Sequence, residues 1–223
     1  SEDPLRMMRA LQFAVRFDFD IESETLAAIR NNIDKIDTLA AERVFMEFNK
    51  AWTKGSVNSD KLVLLLEETG IGRRLFGDDF DPQVVGIEGS PEDKINGNFI
   101  AFFLNGGDFD PMRPTNDMIK HLDIAIAASR DAGEVHEYAV DQREKMPLIA
   151  NVLGQLGYHQ QAEKIMGAIE LPLKGSELEV GGRELMQMGF KGREIGQAQR
   201  DILSAIHRGE IGNTYDEIVG FLQ

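Results

Sequence analysis

The sequence predicts an all-α fold, and three observations carry that expectation. Apolar residues recur at helical spacing in one segment after another, several segments open on recognisable capping residues, and the connections between them are short. Short connections favour antiparallel or orthogonal helix pairs over a sheet. The first helix starts at Asp3 and Pro4, an acidic N-cap followed by a proline whose missing amide hydrogen costs nothing at the first helical position. Leu5, Met8, Leu11 or Gln12, Val15 and Phe19 then mark a packing face, and Arg6, Arg9 and Arg16 an opposite one. Phe13, Phe17 and Phe19 are expected in the core.

A second helix is expected over Ser23 to Asn31, capped by Ser23, with Ile21, Leu26 and Ile29 packing. A third runs from about Ala40 to Lys50 and a fourth from Asp60 to Thr69, so residues 1–75 form one helical domain. Between Gly70 and Pro114 glycines and prolines interrupt every apolar run, and residues 76–115 are expected to be an irregular connecting segment. Within it, Asn98 to Leu104 fits a short strand or a buried helix, because seven residues do not resolve the period. Helices resume over Asn116 to Ala128 and Val135 to Leu156, the latter started or broken by Pro147, and continue over Tyr158 to Ile169. Gly181 to Met188 and Gly192 to Arg208 form a close pair, and Tyr215 to Leu222 ends the 116–223 region.

Composition narrows the function. The 223 residues carry 24 Lys and Arg against 38 Asp and Glu, a net charge of −14, which excludes a uniformly basic coat for nucleic acid but leaves room for a local phosphate site. There is no cysteine, so disulfides, thiol catalysis and cysteine-ligated zinc or iron–sulfur sites are excluded. No stretch approaches the roughly 20 apolar residues of a membrane span, and the first residues do not read as a signal peptide. A cytoplasmic location follows as the default. Opening directly on Ser1 and Glu2, the chain is expected to continue upstream in its native form.

The four histidines, His121, His136, His159 and His207, are not followed by aspartate and read as packing or surface residues. Gly106-Gly107-Asp108-Phe109-Asp110 imitates a metal-binding acid pair but lacks strand–helix surroundings, and no metal is expected in this chain.

Two passages go beyond generic helices. Glu2-Asp3-Pro4-Leu5-Arg6-Met7-Met8-Arg9-Ala10, running on to Phe19 and followed by Ala41-Glu42-Arg43-Val44 and Glu47, resembles the neck of the class II CCA-adding tRNA nucleotidyltransferases and their poly(A) polymerase relatives. Gly181-Gly182-Arg183-Glu184-Leu185, continuing to Lys191-Gly192-Arg193-Glu194, resembles the RNA-binding region near the C-terminus of that family. The two occur in family order. The resemblance implies an elongated helical array of neck, body and tail, with 1–75 as the nucleotide-recognition neck and 116–223 as an RNA-binding body and tail.

It further implies roles for particular residues. Glu2, Asp3 and Arg6 stand where the family's EDxxR element reads the incoming base of CTP or ATP, and Arg9 and Arg16 where arginines support the nucleotide or the fold. The chemistry suits the residues: a carboxylate accepts from an exocyclic amine, a guanidinium donates to ring nitrogen or carbonyl oxygen, and positions i and i+3 share a helix face. Gln12 replaces an arginine common in relatives. Glu42, Arg43 and Glu47 either brace Arg6 or Arg9, or form a plain surface network.

In the tail, Arg183, Lys191, Gly192, Arg193 and Arg200 are the RNA-binding candidates. From Arg183 to Arg208 five basic residues face three acidic ones, against the acidic trend of the chain. The amides of the helix after Gly192 could receive a phosphate. A packing hairpin is the alternative.

The family's Mg²⁺-dependent transfer of CTP and ATP nucleotides belongs to a β-containing head preceding the neck, so this chain alone is expected to be inactive, with tRNA as its partner. Poly(A) polymerase remains an alternative enzyme. A headless RNA-binding protein, or a subunit joined to a separately encoded head, is the alternative outside that description, and a homodimer is possible.

Overall fold

The computed structural model describes residues 3–54, 59–131, 135, 140 and 142–223. Among them the regular structure is entirely helical, with twelve α-helices, short 3-10 turns and no strand. They divide into two compact units: one extends to Ile126 and takes in Gln155–Gly157, and the other comprises Ala127–Gly154 and Tyr158–Gln223.

The first unit begins with α1 (Leu5–Phe17), which buries Met7, Met8, Leu11, Gln12, Ala14 and Val15. It starts one residue later than the Asp3-Pro4 pair predicts, with Pro4 flanking the helix, and Asp3 still holds the end: the Leu5 amide donates to Asp3 Oδ1 at 3.0 Å. Its end is a left-handed turn at Asp18 (φ 54°), after which the Phe19 amide returns to Ala14 O at 3.0 Å. α2 (Ser23–Asn31) follows, and here the expected Ser23 cap is corrected: Ser23 is the first helical residue, and the flanking Glu22 makes no side-chain cap.

α3 (Ala41–Lys54) packs along α1 and buries Val44, Glu47, Phe48, Ala51 and Trp52. α4 (Ser59–Thr69) packs on α1 and on the short α5 (Ile71–Phe76), which contributes Leu75 and Phe76 to the core.

The stretch expected to be irregular contains α6 (Pro91–Phe103), a full helix. Ser90 and Asp93 form a reciprocal capping box, Pro91 occupies the first turn, and residues 96–103 are buried all round. That settles Asn98 to Phe103 as buried helix, with Leu104 as its C-cap. A helix apolar on every side has no periodicity to betray it, which is why seven residues were ambiguous. Phe99, Phe102 and Phe103 join Phe48, Trp52, Phe76 and Phe80 in one aromatic cluster with ring centroids 4.6–6.2 Å apart.

Gly107, with φ +111°, closes the chain over this cluster where a Cβ would stand 3.0 Å from Phe80. The adjoining Asp108 uses Oδ1 to accept the Asp110 amide at 2.9 Å, a local turn. α7 (Asn116–Ser129) supplies Met118 and Leu122 to the same core.

The second unit contains α8 (Met146–Gln155), α9 (His159–Ile169), α10 (Gly182–Gln187), α11 (Arg193–His207) and α12 (Tyr215–Phe221). Pro147 starts α8 and does not break it, because a 3-10 turn over Arg143–Lys145 leads directly into Met146. Residues 136–139 and 141 of the expected helix before it lie outside the described residues. α10 and α11 pair around a tail core of Leu178, Val180, Leu185, Ala198, Ile202, Leu203, Ile206 and Ile218.

Candidate functional site

The first unit places Asp3 and Arg6 on the wall of one cavity of about 250 Å³. Pro4, Met7 and Ala10 line it from the α1 side, and Thr25, Ala28, Ile29, Asn32 and Lys35 from α2 and the turn beyond. Asp3 is engaged at both carboxylate oxygens: Oδ1 caps the Leu5 amide, and Oδ2 accepts from Arg43 Nη2 at 2.7 Å. The Arg43 hydrogen bond and then the Leu5 amide hold the Asp3 carboxyl below its ordinary range, against the opposing effect of partial burial, with the charges of Arg43 and Arg6 adding to the depression. Glu2 lies outside the described residues.

The wall thus combines a fixed anionic acceptor at Asp3, the guanidinium of Arg6 and the ammonium of Lys35, over an apolar floor that includes Met7 and Ile29. Such a set can take a planar heterocycle with a mixed donor and acceptor edge, with a cation beside any anionic substituent. Lys35, Thr25 and Asn32 escaped the sequence reading. They meet Arg6 only once α1 and α2 share a cavity, and no local pattern marks them.

Glu42, Arg43 and Glu47 support other groups than Arg6 or Arg9. Arg43 locks Asp3, Glu42 accepts from Arg113 Nη1 at 2.7 Å across an exposed surface, and Glu47 accepts from Lys50 Nζ at 2.7 Å. Glu47 is buried, and its second oxygen has no hydrogen-bond partner; the same holds for Nε2 of the buried Gln12 on α1.

The phenylalanines also need correction. Phe13, Phe17 and Phe19 are 38%, 48% and 63% exposed. The α1 core stripe runs through Met8, Leu11 and Val15, and Phe13, two residues from both Leu11 and Val15, is turned about 200° from each. Arg9 lies over the Phe13 ring at 5.5 Å and Arg16 over Phe17 at 4.9 Å.

In the tail, Arg183, Lys191, Gly192, Arg193 and Arg200 are all exposed. Gly192 (φ 54°) turns the chain into α11, where Arg193 and Arg200, seven positions apart, share a face. The helix start already holds a carboxylate: Glu194 Oε2 accepts the Lys191 amide at 2.9 Å. Arg200 Nη2 donates to Gln197 Oε1 at 2.6 Å. An open groove of about 900 Å³ runs beside them, bordered by Met188, Phe190 and Phe221 and by the acidic Glu194 and Asp201.

Among the described residues no three histidine or acidic side chains converge as metal ligands. Asp108 Oδ1 accepts the Asp110 amide within their own turn. His121 is buried and His207 Nε2 lies 2.7 Å from Pro172 O; His159 is exposed and His136 lies outside the described residues. No described helix is long and apolar enough to cross a membrane.

One unit thus carries a small cavity walled by Asp3, Arg6 and Lys35, and the other exposes Arg183, Lys191, Arg193 and Arg200. Residues 18–83 match a family described as the probable RNA and SrmB-binding site of polymerase A. The CCA-adding enzyme of Streptococcus thermophilus is 24% identical over 100% of this chain and 60% of its own length, and that of Limosilactobacillus fermentum 26% over 98% and 58%. A multifunctional CCA protein of Chromobacterium violaceum is 35% identical over 41% of this chain and 21% of its own.

The solved structure of the Bacillus stearothermophilus CCA-adding enzyme, in complex with CTP, shares the fold with a TM-score of 0.65 at 18% identity, covering 99% of this chain and 61% of that one. The chain is homologous to the class II CCA-adding enzyme and poly(A) polymerase family, and it spans about 60% of the length of these full-length relatives.

Proposed function

We propose that this chain is the neck, body and tail of a cytoplasmic tRNA nucleotidyltransferase that adds CCA to tRNA 3′ ends, with nucleotidyl transfer on CTP and ATP carried by a Mg²⁺-dependent domain outside these residues. The observation that carries the reading is the cavity shared by Asp3 and Arg6, with Arg43 closed on the Asp3 carboxylate. Arg43 and the Leu5 amide keep that carboxylate ionised and oriented, so it accepts from an exocyclic amine while Arg6 donates to the ring edge. A preset acceptor and donor select a base at little cost in side-chain ordering.

Arg6→Ala in the complete enzyme is expected to change the ratio of CTP to ATP incorporation, while Arg74→Ala, which breaks an exposed pair with Asp37 elsewhere in the unit, leaves it alone. Unchanged selectivity in Arg6→Ala would count against the cavity as the base reader. For the tail, replacing Lys191 and Arg193 together by alanine should weaken tRNA binding and lower the salt slope by about one to two counterions. An unaltered slope would give that cluster a purely structural role.

The description attached to residues 18–83 favours one second reading, a poly(A) polymerase that shares this neck. Product analysis separates the two: defined CCA ends support the first, long A tracts the second.

A further inference from the structure

α1 ends in a feature that the base-reading cavity does not use. Arg9, Phe13 and Phe17 follow one another at intervals of four and so lie along one helix face. Beyond the helix, the left-handed turn at Asp18 folds Phe19 back, so that three rings form a continuous ladder: Phe13 to Phe17 at 5.9 Å and 24°, and Phe17 to Phe19 at 5.7 Å and 26°. All three rings are substantially exposed, and two carry a guanidinium, Arg9 over Phe13 and Arg16 over Phe17.

The carboxylates flanking Phe19 are partly neutralised, since Lys61 Nζ lies 3.1 Å from Asp18 and 3.3 Å from Asp20. In a chain of net charge −14, a run of exposed rings with two arginines on it and a lysine at its end is a local departure from composition.

We propose that this ladder is a stacking platform for the bases of single-stranded RNA. Exposed aromatic faces accept any base, and cations beside them follow the phosphate backbone, the combination by which proteins hold single strands without reading sequence. A partner protein would be a poorer match, because covering these rings with apolar surface would also desolvate the two guanidinium groups seated on them. The inference rests on the RNA-handling reading given above; Phe13, seven positions from Arg6, continues the same face of α1, but neither it nor Phe17 lines the Asp3–Arg6 cavity.

The test is fluorescence anisotropy of the whole chain with labelled oligo(C), oligo(A) and an abasic ribose-phosphate strand, each of about eight nucleotides. Phe17→Ala, Phe17→Leu and Phe17→Tyr are compared with the parent; position 17 is exposed, and unchanged Trp52 emission confirms an intact fold. The expected result is that oligo(C) and oligo(A) bind alike and tighter than the abasic strand. Phe17→Ala and Phe17→Leu should weaken both about five-fold or more, while Phe17→Tyr retains binding.

Equal binding of the abasic strand, or no loss in Phe17→Ala, overturns the proposal. So does full retention in Phe17→Leu, and a Phe17→Ala change confined to self-association in sedimentation velocity would reassign the ladder to protein docking. If tRNA still binds through Lys191 and Arg193 while the ladder variants change nothing, only this inference fails. If neither tRNA nor oligonucleotide binds, the RNA-handling reading fails with it.

Discussion

Removing the ring of Phe48 is the sharpest test of how the first unit is held together. Phe48 is 1% exposed, and its ring meets Trp52 at 5.4 Å, Phe76 at 5.6 Å and Phe102 at 6.2 Å, so it joins α3 to α5 and α6. Phe48→Ala deletes a buried aromatic with little room for collapse between neighbouring rings, which costs about 3–5 kcal/mol. Phe48→Leu keeps most of the volume and forfeits chiefly the ring geometry, for about 1–2 kcal/mol.

Trp52 is the sole tryptophan, is buried beside the deleted ring, and stacks edge-on against Phe102 at 5.2 Å, so its emission reports this core directly. Urea unfolding followed at Trp52 should show the Phe48→Ala midpoint lowered by about 1.5–2.5 M, with Phe48→Leu in between. A loss below about 1 kcal/mol in the alanine variant, or a leucine variant as damaged as the alanine one, would refute the view that the aromatic cluster is a rigid joint.

Two further outcomes follow from close contacts. Arg43→Ala should raise the Asp3 carboxyl toward its ordinary 3.8, since the Arg43 hydrogen bond is the largest influence holding it down; in the parent, the stabilisation from this pair is present above that ordinary value and is lost as pH falls through the depressed one. Carboxyl NMR titration checks it, and an unmoved Asp3 would detach Arg43 from the site. Gly97→Ala in α6 gains about 1 kcal/mol of helix propensity but puts a Cβ 2.7 Å from Cγ1 of Ile87, a χ1-restricted and buried side chain, so the net change should be a loss of about 1–2 kcal/mol. In an Ile87→Ala background the same substitution should become neutral or stabilising, and thermal melts of the four combinations decide it.

Local signals carried far in this chain. The Asp3 cap, the Met8–Leu11–Val15 stripe, the α10–α11 pair and the Asp3–Arg6 spacing are all written within a few residues, because capping and helical periodicity are nearest-neighbour properties. Reading failed where the deciding partner lies far along the chain. Asn98 to Phe103 is buried helix whose rings meet Phe48 and Trp52 of α3, Phe76 of α5 and Phe109 beyond it, and total burial erases the period that would announce it.

Phe13 and Phe17 have the hydrophobicity of core residues, yet the angle between their face and the Leu11 face sends them outward, and the Asp18 turn brings Phe19 to them. Arg43 could serve any nearby acid. Packing of α3 along α1 gives it Asp3, forty residues away, and sends Glu42 to Arg113. Lys35 likewise joins the Asp3–Arg6 cavity only through the placement of the turn after α2. By itself the sequence determined the helical class, the starts of several helices and the family signature; tertiary structure decided which side chains share a wall, because that depends on packing directions that no single helix encodes.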